Sequence, residues 1–213
     1  MNVRQFGGAL VACAVVFGMA SAVWAAPTRA DAAPLGAALL GGDQLPVGWE
    51  ATGGEPTSAT RFAWCPADRA GMPAPAARAA ATHVGRGGRA LLYQEILRFE
   101  RGDAARAVAM LRLSGRCGWV EDELDGAPME VTLDAAEAMA LGEDAVWRSL
   151  EGRWEGAGFR ARIAVVRRGD TLAVMTYIML GDGEGDGDRI LLAHLATMMD
   201  ERLARAVGAN GTG

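Results

Sequence analysis

Histidine and cysteine, which carry much of the metal and nucleophile chemistry of proteins, are scarce in this chain: two histidines and three cysteines in 213 residues. His83 falls near a strand end and His194 at the margin of the last helix; two unrelated surface histidines are expected, with a shared metal site or acid–base pair as the alternative. No H-E-x-x-H, G-x-S-x-G or Walker A pattern occurs. The motif routes to zinc hydrolase, serine hydrolase and nucleotidase are therefore closed. Ser114 and Ser149 have no visible base partner. Basic excess is missing too, since the formal net charge is −5, which leaves no footprint for nucleic acid. Beyond the first 26 residues no apolar stretch is long enough to cross a bilayer. No cofactor is expected.

What is present begins at the N-terminus. Arg4 supplies a positive n-region, an apolar run follows from Phe6 through Trp24, and Val23-Trp24-Ala25 fits a small-x-small cleavage pattern. Residues 1–25 read as a secretory signal peptide, and the mature protein is expected outside the cytoplasmic membrane, secreted or in the cell envelope. Two alternatives stay open. Leu10-Val11-Ala12-Cys13 has the form of a lipobox, which would anchor the chain through Cys13, although the residues that follow are still hydrophobic. An uncleaved anchor is the other. Residues 26–34 read as a linker, 35–206 as one α+β domain, and 207–213 as a flexible tail.

Signal removal takes Cys13 and leaves Cys65 and Cys117. In an oxidising compartment two cysteines pair, so a Cys65–Cys117 disulfide is expected. The chain-entropy model assigns such a loop about 4 kcal/mol. The alternative is a redox pair, which has no C-x-x-C spacing behind it.

Periodicity supplies the rest of the architecture. Leu35 to Leu40 reads as a short helix or turn, and Pro46 bars a helix through 44–49. Residues 78–84 and 89–99 read as strands joined at Gly85-Arg86-Gly87-Gly88, with Glu95 interrupting the apolar face of Leu91, Tyr93, Leu97 and Phe99. Asp103 is placed as the cap of a helix presenting Ala104, Ala107, Val108 and Leu111 on one face. Strands are expected at 129–133 and 145–150. The clearest hairpin joins 159–167 to 171–180 through Arg168-Gly169-Asp170, and its second strand is apolar on both faces, as a covered central strand must be. Asp188 is placed as the cap of a last helix burying Leu192, Leu195, Met199 and Leu203. The sum is an antiparallel sheet with two main helices packed on it, the α+β class.

Four stretches invite functional readings. Trp147, Arg148, Arg153 and Trp154 bracket residues 150–152 and form the candidate ligand or partner surface, because exposed aromatic and arginine side chains mark binding surfaces. Asp182, Glu184, Asp186 and Asp188 alternate with glycines as in the start of an EF-hand loop. Ala193 occupies the place where a bidentate glutamate is required, so they are weak metal candidates only. The tripeptide Arg168-Gly169-Asp170 is explained by its turn, where glycine supplies positive φ. Glu121-Asp122-Glu123 reads as a solvated turn rather than a glycosidase pair.

The order of several short motifs resembles the actinobacterial extracytoplasmic sensor-domain family, the PknH-type receptor-kinase sensor domains. The family opens with a leucine pair and a D-L-P-x-G-aromatic turn. Here these are Leu39-Leu40 and 43–49, with one inserted residue. A cysteine follows (Cys65), then a strand and a helix carrying A-x-x-x-L (Ala107 to Leu111) that finishes at a second cysteine (Cys117). A hairpin turning at R-x-G-D (167–170) precedes the C-terminal helix. The likeness spans residues 35–206. The kinase ectodomains have a second disulfide, for which this chain has no cysteines, and that departure puts any groove shaped by it in question.

The resemblance implies a PknH-sensor-like, non-catalytic domain that binds a small molecule or a cell-envelope component. The charge and the lack of a second apolar stretch lead us to expect no nucleic-acid partner and no membrane span after cleavage, and a monomer is expected. An envelope protein-interaction module with a flat exposed patch is the second class. An enzyme with an unrecognised site is the third, and His83, Glu95 and His194 would be its first candidates, provided two of them meet within hydrogen-bond reach.

Overall fold

The computed structural model describes residues 35–52, 59–124, 127–181 and 186–209. The signal peptide, Cys13 and the linker lie outside the described residues. Nine strands are described: β1 (Glu50–Ala51), β2 (Ala77–Gly85), β3 (Ala90–Arg98), β4 (Cys117–Leu124), β5 (Ala127–Leu133), β6 (Glu137–Met139), β7 (Asp144–Trp154), β8 (Ala157–Arg168) and β9 (Thr171–Leu180). They form one sheet in the order β1-β2-β3-β9-β8-β7-β5-β4, each described pair antiparallel, with β6 beside the start of β7. Two single-turn helices, α1 (Thr60–Ala63) and α2 (Pro66–Arg69), and two long ones, α3 (Asp103–Leu113) and α4 (Asp186–Ala209), complete the fold.

β9 explains the layering. Its residues 171–179 are all buried, because it runs between β3 and β8 and its two faces meet different cores. Leu172, Val174 and Ile178 join one core with Phe62 of α1, Trp64 just after it, and Ala104, Val108 and Leu111 of α3. Ala173, Met175 and Tyr177 join the other with Leu192, Leu195, Met199 and Leu203, from α4, and with Leu35, Leu40, Leu45 and Trp49 from the N-terminal segment. The domain is a helix–sheet–helix sandwich of the expected α+β class. Burial of two apolar faces of the central strands is the dominant favourable term.

Hairpin chemistry fixes the registers. Gly87 (φ 64°) and Gly88 (φ 88°) turn β2 into β3, and Gly169 (φ 55°) turns β8 into β9, backbone conformations that glycine adopts without a Cβ clash. The Arg-Gly-Asp turn is held from both sides. Arg168 makes a two-pronged ion pair with the buried Asp200 of α4 (2.6 and 2.8 Å), and the Asp170 carboxylate accepts the backbone N–H of Gly102 at 2.9 Å.

Four expectations are corrected. Glu121-Asp122-Glu123 lies within the edge strand β4 rather than a turn. An edge strand needs an apolar pattern on one face only, and an acidic run hides that pattern. The residue before α3 is Gly102 in the left-handed region (φ 85°), and Asp103 is the first helical residue. α4 begins at Asp186, two residues before the expected cap. His83 is 3% exposed, not a surface histidine. It sits on β2 above the second core, where Gln94 Nε2 approaches its Nδ1 at 3.3 Å, and burial pushes its pKa below the ordinary value.

Candidate functional site

An eleven-residue strand carries all four residues of the sequence-derived surface, and strand geometry decides their fate. Successive side chains of a strand point to opposite faces. β7 is regular along its whole length, paired with β8 from Asp144↔Arg167 to Trp154↔Ala157. Trp147 and Arg153 therefore stand on the α4 face, and Arg148 and Trp154 on the α3 face. The structure does not bring the four together.

On the α3 face Arg148 is 1% exposed. Its Nε donates to Asp134 O (2.6 Å), its Nη1 to Ala63 O and Ser114 Oγ (3.3 Å each), and its Nη2 to Gly115 O (2.7 Å). One guanidinium thus ties the ends of α1 and α3 to the β5–β6 connection. Burial lowers its pKa, and the charges of Asp68 and Asp134 raise it in return. Ser114 Oγ donates to Asp68 Oδ2 and lies 3.4 Å from Cys65 Sγ. The Cys65–Cys117 disulfide, S–S 2.07 Å, is formed beside this network and joins the helical segment to the start of β4. Trp154 packs partly buried against the same core, and its Nε1–H has no acceptor among the described residues.

The α4 face divides. Where α4 lies over β8 and β9 the sheet is closed by apolar side chains. Beyond the start of α4 it is open: Val120, Glu130, Thr132, Glu151, Arg153 and Arg160 are all exposed, alternating with buried or half-buried residues. At the border sits Trp147, 6% exposed. Its Nε1 donates to Glu137 Oε2 at 3.1 Å. Arg162 of β8 and Arg189 of α4 both lie over its ring, their Cζ atoms 5.6 and 4.5 Å from the centroid. Among the described residues Arg153 bonds the carbonyl of Gly156, at 3.2 Å. Sequence reasoning named Trp147 and missed Arg162 and Arg189, which reach it from other elements.

Of the catalytic candidates, His83 and Glu95 stand on opposite faces of the sheet. Their positions on the β2–β3 ladder, His83↔Leu92 and Glu95↔Ala80, fix this. Glu95, 1% exposed, is paired with Arg78 and accepts the backbone N–H of Thr60 at 2.9 Å, which binds α1 to the sheet. His194 is on the exposed side of α4. No two of the three share a site, because His83 and Glu95 are separated by the sheet and His194 faces solvent. Among the metal candidates Asp188 faces Arg86 at 3.0 Å and accepts the Tyr177 hydroxyl at 3.2 Å. Desolvation, with Asp188 nearby, pushes the Tyr177 pKa up. Asp182 and Glu184 lie outside the described residues, as does the side chain of Asp186. An open hollow of about 350 Å³ lies between Ala37 and the end of α4, lined also by Arg202, Arg205 and Ala206. Arg202 is already committed there to Ala37 O and Gln44 Oε1.

These features define an α+β domain whose antiparallel sheet is covered by helices on both faces and left open at one end. No protein-family model matches the chain, and no curated protein matches it in sequence. Among solved structures the fold is similar to the extracellular domain of PknH from Mycobacterium tuberculosis. The TM-score is 0.54 at 9% sequence identity, over 78% of this chain and 93% of that one. At that identity the likeness is one of fold. Among the described residues no helix is long and apolar enough to cross a membrane.

Proposed function

We infer that this chain is an exported, non-catalytic, sensor-like domain that binds a small molecule or a component of the cell envelope. The observation that carries the reading is the shared fold with a kinase extracellular domain over nearly the whole of that domain. The disulfide supports it, since such bonds persist in oxidising compartments. So does the use made of the buried charges. Arg148, Glu95 and Asp200 are each spent on holding segments together, which argues against a hidden acid–base site. The binding surface on this reading is the open end of the α4 face, with Trp147 at its border and Arg153 farther out.

The test is native mass spectrometry of the protein purified from its own envelope without reductant. A discrete mass excess that disappears on denaturation supports a bound ligand. A bare mature chain, lighter than the sum of its residues by the two hydrogens of the Cys65–Cys117 bridge, removes that support. The second reading, an envelope protein-interaction module, is favoured by the row of exposed residues across β4, β5, β7 and β8. A bare chain that crosslinks through this face to another envelope protein would establish it.

A further inference from the structure

Two guanidinium groups converge on one indole, and among the described residues neither makes an ion pair with a carboxylate. The chain has more acidic than basic residues, and several of its arginines find the acids. Arg78, Arg86, Arg112, Arg116, Arg167 and Arg168 each make an ion pair with a carboxylate. Arg162 and Arg189 make none among the described residues. Arg162 is held by Trp147 and by a 2.9 Å hydrogen bond to Ser149 Oγ, directly across the β7–β8 ladder. Arg189, exposed on the first turn of α4, lies over the Trp147 ring, its one contact of this kind among the described residues. The indole is itself fixed by its bond to Glu137. Stacking on an aromatic face orients a guanidinium while leaving its N–H edges free for an anion. Both charges are thus positioned, and no carboxylate among the described residues is paired with either.

We propose that Arg162 and Arg189, aimed by Trp147, form a binding site for a phosphate group, the charged end of an envelope ligand. The ligand's origin rests on the function inferred above; the anion chemistry rests on these side chains. Two forks arriving from a strand and from a helix suit an anion with three or more acceptor oxygens better than a planar carboxylate. Ser149 accepts from Arg162 and keeps its own O–H to donate to the same anion. Glu137, on the edge of the ring, opposes anion entry from that side and directs it toward the open face.

The test follows the Trp147 indole N–H signal by NMR in the full mature chain, assigned with Trp147→Phe. The chain is titrated with inorganic phosphate and, separately, with phosphatidylglycerol or phosphatidylcholine vesicles. The expected result is a saturable change with phosphate or phosphatidylglycerol and none with phosphatidylcholine. Arg189→Gln, at an exposed position that leaves the fold intact, weakens it about tenfold or more, the loss of a charge-assisted hydrogen bond. Arg162→Gln does the same, and Arg106→Gln, exposed on α3 on the other side of the sheet, leaves it unchanged. Saturation by inorganic phosphate assigns the source to a free or terminal phosphate; a response to phosphatidylglycerol alone assigns it to a lipid headgroup. No saturable change with either, or an undiminished change in both arginine variants, overturns the site. A normal phosphate response in a chain recovered bare from the envelope keeps the site and rejects the envelope ligand. Bound mass with no phosphate response does the reverse.

Discussion

Replacing Arg148 by Met keeps the aliphatic stem and removes a buried cation. The guanidinium makes four hydrogen bonds, three of them to main-chain carbonyls of separate segments. Bonds to a charged group contribute about 1.5–3 kcal/mol each, against a desolvation cost of several kcal/mol for the ion. The net loss expected is therefore about 3–5 kcal/mol, the range found when one member of a buried polar arrangement is deleted. For a domain of this size each kcal/mol moves the melting temperature by about 2–4 °C, so a fall of roughly 6–20 °C is expected. Arg148→Lys should recover little, because one ammonium cannot span three carbonyls set around a planar fork. Arg153→Met is the matched control: five residues along the same strand, exposed, and bonded to one carbonyl. It should change stability by no more than about 0.5 kcal/mol. Urea unfolding followed by circular dichroism measures all three variants. A loss under about 1 kcal/mol for Arg148→Met, or equal losses for the two arginines, would refute the claim that face alternation along β7 separates a structural arginine from a surface one.

Three other outcomes are expected. His83 has a lowered native pKa, so below pH 6.5 the unfolded chain binds more protons than the native one; stability should be level above that pH and fall below it, by at most about 1.4 kcal/mol per pH unit, and His83→Gln should flatten the urea midpoint against pH. Breaking the disulfide, by reduction or as Cys117→Ser, should lower stability by up to about 4 kcal/mol in the chain-entropy model, read from thermal unfolding with and without reductant. A Cβ on Gly152 would fall 2.3 Å from Phe159 Cζ and 2.7 Å from Glu130 O; Gly152→Ala should therefore cost about 1–3 kcal/mol by overpacking in the same urea assay, while Gly156→Ser, which meets no atom within 4 Å, should change stability by strain at its positive φ alone.

The sheet was largely legible in the sequence, and its partners across space were not. Both clear hairpins announced themselves through glycine turns, and Leu172 to Leu180 declared a covered strand by being apolar on both faces. α4 showed in the spacing of Leu192, Leu195, Met199 and Leu203. The start of β4 escaped because Trp119 alone cannot set a period and the acidic run after it resembles a turn. β7 was read too short, ending at Leu150. Extended to Trp154, its alternation separates Arg148 from Arg153 without coordinates. Glu95 stood out as an interruption of an apolar face, but nothing local pointed to Arg78 and α1 as its partners. For the same reason the arginines around Trp147 were invisible: Arg162 and Arg189 lie 15 and 42 positions away, and only the antiparallel register and the seating of α4 bring them there.

The most direct test of binding at the open face is hydrogen exchange, comparing the envelope-purified chain before and after mild stripping of bound material. The account expects slower exchange in the unstripped chain within 147–162 and the first turn of α4, with the rest unchanged. Identical exchange throughout, or protection confined to segments away from β7, β8 and Arg189, would contradict it.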